Sequence, residues 1–339
     1  MNILIQVKQL TKLFKMPKSN DELMMDTMYW WGIPTLFRCE HNVDPEKCDI
    51  ALAGVPHSSG NGTTERDQHL GPRAVRHVSA GLRRVHLDMQ INPWEKKIIN
   101  DLGDVPLPEA NNNEKCIEHI TNFYSKIASA SKPVVSIGGD HSITGGILQG
   151  LSANNLSLTK GKKISLLHID AHTDTYNQLD HFLGAKKSAA HWGSYLVQNN
   201  IVDAASSMQI GIRGNPRTLD WLKPSYDLGY NVVTMQEFYK RGIQDVINET
   251  LDKLGNNPIY ITFDLDSLDA SIAPAVSNLE PSFTGFTMEE AKSLIQSVRN
   301  KNVIGGDVVC LMPTKDSPNN ITSMVAASIM FEIISVIAA

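Results

Sequence analysis

Three separated segments of the chain share one pattern, an apolar run followed at once by acidic residues and histidine. They are PVVSIGGDHS (133–142), ISLLHIDAHTDTY (164–176) and IYITFDLDSLD (259–269). Each opens with residues rich in Val, Ile, Leu and Phe, which is typical of a strand buried in a parallel sheet. In open α/β sheets, ligands bind beyond the carboxyl ends of the strands. The pattern therefore predicts three strand ends that bring carboxylates and imidazoles to one crevice.

The remaining apolar runs predict an α/β protein throughout. Further strands are predicted at SSMQIGIR (206–213), YNVVTM (230–235) and VIGGDVV (303–309). Helices are predicted at 235–254 and 287–299 between these strands. Thr287 is followed three residues later by Glu290, the spacing of a capping box at a helix start.

The acidic and histidine residues form a candidate metal site. Side chains two positions apart in an extended chain share a face. The predicted set is His141, Asp170, His172, Asp174, Asp264 and Asp266. Four carboxylates and two imidazoles suit Mn²⁺, Ni²⁺, Co²⁺ or Zn²⁺, whereas two imidazoles are too many for Mg²⁺ or Ca²⁺. Any one segment alone is explained as well by a loop of caps and Asx-turns. Together they favour two ions that share carboxylates, typically roughly 3.5–4 Å apart.

The three segments resemble the metal-binding motifs of the arginase–agmatinase (ureohydrolase) family. The resemblance covers about residues 28 to 335 and includes five further landmarks: GIPTLFR (32–38), GPRAVR (71–76), LGDVPL (102–107), QIGIRG (209–214) and DVV (307–309). It implies an arginase-like fold, a three-layer α/β sandwich around a mainly parallel sheet. It also implies one catalytic domain over 28–339, preceded by an N-terminal arm at 1–27.

The resemblance assigns a role to each predicted ligand. It implies His141 and Asp174 on one ion, His172 and Asp266 on the other, and Asp170 and Asp264 bridging the two. Members of this family hydrolyse a C–N bond of a guanidino group and use two Mn²⁺ or, in some branches, Ni²⁺. Such ions lower the pKa of bound water from 15.7 toward about 7, so that hydroxide is available at neutral pH to attack the guanidinium carbon.

The departing amine must also be protonated, which requires a general acid. His191 matches the proton-shuttling histidine of the family, and we expect His191 and Asp266 to be catalytic residues. The segment around His191 is HWGSYL rather than the family's HG-containing pattern. An ordinary surface histidine is therefore the alternative for His191.

One departure from the family concerns the substrate. The last landmark here is DVVCLMP, so Cys310 stands where the family has a glutamate that binds the substrate guanidinium. A neutral thiol cannot replace that charge-assisted pair. Glu280 is a candidate to supply the charge from another direction. Cys310, Met312 and Trp192 are predicted to make the pocket softer and more apolar. The alternative is that Cys310 is a small buried hydrophobe.

An intact metal site with an altered substrate partner favours an unusual substrate. The favoured prediction is guanidine, cleaved to urea and ammonia, or a biguanide such as metformin, cleaved to guanylurea and dimethylamine. The alternative is an agmatinase or guanidinobutyrase that releases urea. An alternative of a different class is a catalytically idle metal-binding subunit that serves as a partner.

Composition excludes several other classes. The chain has 339 residues, 42% of them hydrophobic, and a net charge of −5, which gives no electrostatic case for binding nucleic acid or an anionic membrane. The apolar tail SIMFEIISVIAA (328–339) contains Glu332 and is predicted to be a packed terminal helix. No signal-peptide pattern is recognised at the start. Four cysteines without CxxC spacing are predicted to be free thiols in the cytoplasm.

Assembly is predicted mainly by resemblance. Ureohydrolases are typically trimers or hexamers, so we expect a homo-oligomer, with a mixed complex containing a related subunit as the alternative. The aromatic cluster MYWWG (28–32) is a candidate interface, because exposed aromatic patches usually mark contacts.

Overall fold

A single parallel sheet organises the chain. The computed structural model describes residues 31–62, 66–152, 158–177, 184–281 and 283–339. Its strands are β1 (Glu40–His41), β2 (Ile50–Gly54), β3 (Ile99–Asp104), β4 (Val134–Ile137), β5 (Ser165–Ile169), β6 (Met208–Ile212), β7 (Asn231–Thr234), β8 (Ile259–Asp264) and β9 (Val303–Val309). They lie in the order β1-β3-β2-β4-β9-β8-β5-β6-β7. Every neighbouring pair is parallel. All carboxyl ends therefore meet at one edge.

Helices cover both faces of the sheet. They are α1 (Gly71–Ser79), α2 (Pro93–Lys96), α3 (Asn113–Ser129), α4 (Ser142–Ser152), α5 (Trp192–Gln198), α6 (Lys223–Leu228), α7 (Met235–Arg241), α8 (Ile243–Leu254), α9 (Met288–Ser297) and α10 (Ile321–Ala338). One core contains buried residues of α1 and α7 to α10, and the other contains those of α3 to α5. In β2, Ile50 and Leu52 face the first core, whereas Ala51 and Ala53 face the second. The predicted three-layer α/β sandwich is confirmed.

The helix predicted over 235–254 is two helices. They are α7 and α8, and Gly242 separates them with a φ of 82°, a left-handed conformation that glycine adopts without strain. The predicted start of α9 is confirmed. Thr287 accepts a hydrogen bond from the Glu290 amide, and the Glu290 carboxylate accepts one from the Thr287 amide.

The C-terminal helix α10 is long and apolar enough to cross a membrane, and 72% of it is buried inside the protein. It packs against α1 and β9. Its one acidic residue, Glu332, accepts hydrogen bonds from His86 Nε2 at 2.8 Å and Gln296 Nε2 at 2.9 Å. The helix therefore belongs to the core, as predicted from its interrupted apolar run.

Part of the N-terminal prediction lies outside the described residues. This applies to the arm at 1–27 and to most of the aromatic cluster at 28–32, of which Trp31 is described and half exposed. The single catalytic domain over 28–339 stays a prediction. All four cysteines are free and buried, as expected.

Candidate metal centre and active site

Four adjacent strands place polar residues at the same edge of the sheet. In spatial order they are β4, β9, β8 and β5. His141 lies between β4 and α4, Asp264 is the last residue of β8, and Asp170 directly follows β5. Cys310 directly follows β9. The three segments singled out by pattern therefore converge on one crevice.

The arrangement around His141 fits a metal ion. Its Nδ1 lies 2.9 Å from Asp170 Oδ2, 3.0 Å from Asp174 Oδ2 and 3.2 Å from Asp264 Oδ2. One ring nitrogen cannot donate one proton to three carboxylates, and this atom makes no well-oriented hydrogen bond with a described residue. Three carboxylate oxygens and an imidazole nitrogen that surround one point are a typical ligand set for a divalent transition metal.

A second ligand group adjoins the first. His172 Nδ1 lies 3.2 Å from Asp266 Oδ2 and 3.5 Å from Asp170 Oδ1. Asp170 thus offers one oxygen to each group, which is the position of a bridging carboxylate. On its other side, His172 Nε2 lies 3.3 Å from Glu280 Oε1. The residues present fit two ions.

The cluster carries charge that the chain itself does not neutralise. Burial, followed by repulsion from Asp264, raises the pKa of Asp266 well above its ordinary value. Burial opposes charge on His141, but the nearby carboxylates of Asp170, Asp174 and Asp264 raise its pKa well above the usual range. The cluster therefore favours bound cations, and protons and divalent ions would compete for the same ligand atoms.

A buried hydrogen-bond chain orients His141. Its Nε2 lies 2.8 Å from Thr262 Oγ1, and Thr262 donates to Asp307 Oδ1 at 2.7 Å. The hydroxyls of Thr144 and Tyr260 donate to the other Asp307 oxygen. Because the Thr262 proton is used, His141 must donate from Nε2, which leaves the Nδ1 lone pair for a metal. Sequence reasoning recorded this aspartate only as part of a landmark.

A second buried hydrogen-bond chain, through Gln209 and His168, orients Asp170. Gln209 Nε2 donates to the Thr173 carbonyl at 2.7 Å and lies 3.1 Å from His168 Nδ1. His168 therefore donates from Nε2 to Asp170 Oδ2, at 2.8 Å. Sequence reasoning missed both His168 and Gln209. The available signal was polar residues within otherwise apolar buried strands, since such groups are normally hydrogen-bonded for a purpose.

Trp192, which was predicted to line the substrate pocket, instead lies behind the ligand Asp174. Trp192 Nε1 donates to Asp174 Oδ2 at 2.9 Å, and the indole is fully buried, with its ring 4.9 Å from that of His141. Asp174 itself has a φ of 52°. Trp192 thus supports the ligand from behind and does not line the cavity. Met312, also buried, does not line it either, so Cys310 alone remains of the predicted apolar wall.

The carboxylates converge through turns rather than an extended chain. Asp266 lies in a 3₁₀ turn, Leu265–Ser267, and its amide donates to Asp264 Oδ1 at 2.9 Å. The His172 amide likewise donates to Asp170 Oδ1 at 2.7 Å. The assumption that residues two apart share an extended face was therefore wrong locally. Asx-type turns bring the same residues together.

Five of the six predicted ligands, all except the fully buried Asp170, form the floor of a cavity of about 410 Å³. This volume lies within the range of small-molecule sites, roughly 300–1,000 Å³. Glu280, Cys310 and Asn61 line its wall. The lining also includes Tyr176 and Arg217.

Comparison with known proteins identifies the family. Residues 48–335 match the sequence profile of the arginase family. The chain belongs to the arginase family. It is 32% identical to the human mitochondrial guanidino acid hydrolase over 303 residues, which are 89% of this chain and 82% of that protein. It is 30% identical to the mitochondrial agmatinase of Gallus gallus over 306 residues, which are 90% and 86% of the two chains.

The fold comparison agrees. The structure of proclavaminate amidino hydrolase from Streptomyces clavuligerus superposes with a TM-score of 0.82 at 27% identity, covering 92% of this chain and 99% of that one. The arginase-like fold is confirmed. This arginase-family member is accordingly a metal-dependent hydrolase that acts on C–N bonds of linear amidines, with a binuclear metal site of the agmatinase-like branch.

Two residues that line the cavity of this arginase-family member, Cys310 and Glu280, are candidates to contact the substrate. Cys310 has a φ of 70°, and its side chain is almost fully buried beside Asp264. Burial, with the nearby carboxylates, raises the pKa of this thiol well above its usual range, so it stays neutral. Glu280 is the one carboxylate outside the ligand set among the described lining residues.

His191, the predicted proton shuttle, lies behind the cavity wall of the enzyme. It precedes α5 and is 3% exposed, and its Nδ1 lies 2.6 Å from Ser188 Oγ. The neighbouring Ala189 and Ala190 line the cavity, whereas His191 does not. An ordinary surface position is thus excluded, and its catalytic role stays a prediction.

Proposed function

We propose that the protein hydrolyses a small ω-guanidino compound to urea and an amine, as an agmatinase or a guanidinobutyrase does. The observation that carries this is Asp170, whose two oxygens face two separate ligand groups beside the cavity. The names of the relatives support a guanidino substrate that has an alkyl tail. They do not support metformin or free guanidine.

The chain's own residues would bind and orient the reacting groups. The ions, held by the six predicted ligands, would supply an activated water. Thr262 and Asp307 hold His141 in the tautomer that a metal needs, and His168 holds Asp170. Glu280 is placed to accept the substrate guanidinium, because it is 23% exposed and lines the cavity beside His172.

Release of the amine requires a proton. His191 stays our candidate for this step, although its neighbours Ala189 and Ala190 line the cavity and it does not. Ser188 holds the other ring nitrogen, which fixes the orientation of the imidazole. Proton delivery from this position would need a small opening of the 188–191 turn, or a water in the path.

The metal and the assembly are part of the proposal. Nitrogen and oxygen ligands accept both Mn²⁺ and Ni²⁺, and we propose two ions of one of these kinds. A homo-oligomer, a trimer or hexamer, stays an expectation from the family, with a hetero-oligomer as its alternative. A cytoplasmic location also stays a prediction, and relatives from mitochondria are known.

Guanidine or a biguanide is the second candidate. Cys310 favours it, because this position lacks the carboxylate that the family resemblance implies there. The lining weakens the case, because Trp192 and Met312 do not provide the apolar wall that a dimethylamino group would need. Agmatinase-type hydrolysis therefore has the stronger support.

The test is hydrolysis of agmatine, guanidinobutyrate, arginine, guanidine and metformin by protein stripped of metal and reloaded with Mn²⁺ or Ni²⁺. We expect metal-dependent urea release from agmatine or guanidinobutyrate. Glu280→Gln should lower kcat/KM roughly ten- to hundredfold, the worth of one hydrogen bond to a charged group. Bound metal, measured by mass spectrometry, should be retained.

Glu289→Gln is the matched control, because Glu289 is exposed on α9 away from the cavity. Its kcat/KM should equal that of the wild type. Dimethylamine from metformin, or urea from guanidine, at a higher kcat/KM than urea from either tailed substrate would contradict the proposal. Unchanged kcat/KM in Glu280→Gln would remove Glu280 from the substrate site.

A further inference from the structure

Two arginines lie in the described cavity lining, Arg213 and Arg217. Arg213 is 6% exposed, and both of its terminal nitrogens donate to backbone carbonyls. Its Nη1 donates to the Ser267 carbonyl at 2.9 Å, and its Nη2 donates to the carbonyls of Asp266 and Leu268 at 2.6 and 2.9 Å. Arg213 therefore holds the turn that presents the ligand Asp266, and its charge is not available to a substrate.

Arg217 differs from Arg213 in each of these respects. It lines the cavity and is solvent-exposed, in the segment 214–218 that forms the mouth. Among the described residues, no carboxylate forms an ion pair with it. An exposed guanidinium that borders a cavity and has no internal partner is available for an anion, and its planar fork matches a carboxylate.

The mouth segment is fixed relative to the floor. Arg213 anchors its beginning to the 266–268 backbone. Gly214 has a φ of 104°, and a Cβ at this position would lie 2.6 Å from Glu280 Oε2, so the chain passes directly over that carboxylate. Arg217 therefore lies three residues after Gly214, which is next to Glu280, the proposed partner of the substrate guanidinium.

The two ends of the cavity therefore carry opposite charges. Its floor presents carboxylates, including Glu280, and its mouth presents the cation Arg217. A substrate that enters with its guanidinium toward the floor has its tail at the mouth. A carboxylate tail would meet Arg217 favourably, whereas the ammonium of agmatine would meet a like charge, which costs affinity.

We infer that Arg217 is a specificity-determining residue that binds the carboxylate tail of an ω-guanidino acid. This inference rests on the proposed function and narrows its substrate class from tailed guanidines to guanidino acids. Asn215, Thr218 and Asn278, which also line the mouth, supply neutral polar groups around the same point. They suit a carboxylate that remains partly solvated.

The experiment compares 4-guanidinobutyrate and agmatine as substrates of the metal-loaded full-length enzyme. The variants are Arg217→Glu, Arg217→Lys and the control Arg299→Glu. Arg299 is exposed beyond α9 and does not line the cavity, so its reversal makes the same change in net charge at a remote position. Urea release gives kcat and KM separately, and mass spectrometry gives bound metal.

We expect the wild type to prefer guanidinobutyrate. Arg217→Glu should lower kcat/KM for guanidinobutyrate about tenfold or more, through KM, and raise it for agmatine. Arg217→Lys should retain most of the preference, and Arg299→Glu all of it. Added salt should raise the wild-type KM for guanidinobutyrate, because exposed charges are screened.

The outcomes separate this inference from the proposed function. Urea release with agmatine preferred by the wild type, or with the substrate ratio unchanged in Arg217→Glu, overturns the role of Arg217 and leaves the proposed function standing. A loss of bound metal in Arg217→Glu without a change in the substrate ratio shows a structural role instead. Absence of urea from both compounds in the wild type overturns both proposals.

Discussion

Two acidic regions of the same sheet, one within β3 and one at the carboxyl ends of β5 and β8, stabilise buried charge in different ways. At β3, Asp101 is 1% exposed and meets Arg76 in a two-pronged ion pair, with Nε and Nη2 at 2.9 and 3.0 Å. The amides of Leu36 and Gly103 also donate to Asp101, at 2.8 and 2.9 Å. At β5 and β8, by contrast, no arginine or lysine side chain pairs with the described ligand carboxylates.

The difference distinguishes a structural carboxylate from a functional one. A buried charge is stable only when paired or bound to metal. At β3 the chain supplies its own cation, Arg76. Arg76 is the last residue of the landmark GPRAVR, and Asp101 directly precedes the landmark LGDVPL. At β5 and β8 the cation must come from outside, which is the physical reason to assign a metal site there. Replacing individual aspartates tests this contrast.

The largest effect is expected at the metal floor, from Asp266→Asn. Loss of a direct ligand should lower kcat more than about a hundredfold, since loss of an outer-sphere partner alone typically costs 10–100-fold. The metal-free variant should melt at a higher temperature than the metal-free wild type, because repulsion with Asp264 is removed. It should gain less stability from added Mn²⁺. Melting curves with chelator and with Mn²⁺ measure both.

Asp252→Asn is the matched control, because Asp252 is exposed on α8 outside the cavity. It should change neither activity nor the stabilisation by Mn²⁺. A metal-free Asp266→Asn protein that melts well below the metal-free wild type would mean that this carboxylate is structural, as at β3. The contrast between the acidic site within β3 and the one at the ends of β5 and β8 would then fail.

Much of the fold was predictable because hydrophobic runs are local. Strands β4 to β9 and the start of α9 follow from runs and caps within a few residues of each other. Strands β1, β2 and β3 were not predicted, and in β3 the reason is that its INDLGD sequence places Asn100 and Asp101 in the interior. Their burial depends on distant partners: Asn100 donates to the Lys47 carbonyl and Asp101 pairs with Arg76.

The ligands were predictable for the same reason, and their supports were not. Each ligand lies in a short motif at a strand end, whatever turn it adopts. Asp307 supports His141 only because β9 lies between β4 and β8 in the sheet. That neighbourhood joins residues more than 160 positions apart in the chain, such as Thr144 and Asp307. The order of strands is a property of the whole sheet, so local pattern cannot supply it.

The next largest effect is expected at β3, from Asp101→Asn. Breaking a buried ion pair should lower the free energy of unfolding by roughly 3–5 kcal/mol at neutral pH. Burial opposes ionisation of Asp101, but Arg76 and two amides lower its pKa below the ordinary value of about 3.9. The stabilisation is therefore present above about pH 4 and is lost as the pH falls through the folded-state pKa. Urea denaturation from pH 3 to pH 7 measures this.

Asp88→Asn provides the comparison for Asp101. Asp88 pairs with Lys292 at 2.8 Å on the surface, where solvent screens the interaction. Its replacement should have a much smaller effect on unfolding at every pH. If Asp101→Asn destabilised the protein no more than Asp88→Asn, or if its destabilisation grew toward acid pH, Asp101 would not be neutralised by Arg76 as described above.

The smallest effect is expected from Asp307→Asn. Asp307 is intermediate between the structural carboxylate Asp101 and the ligand carboxylates. This carboxylate is fully buried, yet it has three hydroxyl donors instead of an arginine, and it acts on the metal only through Thr262 and His141. Asp307→Asn should weaken Mn²⁺ binding about 10–100-fold, the usual range for such partners. Thr262→Val should do the same, whereas Thr262→Ser, which keeps the hydroxyl, should restore affinity.

Metal affinity separates the two roles that Asp307 could have. Titration of metal-free protein with Mn²⁺ gives the dissociation constant, and melting in chelator gives the stability without metal. A positioning role predicts weaker Mn²⁺ binding in both Asp307→Asn and Thr262→Val. Lower metal-free stability with unchanged Mn²⁺ affinity would instead make Asp307 a structural carboxylate, and the functional region would then end at the ligands themselves.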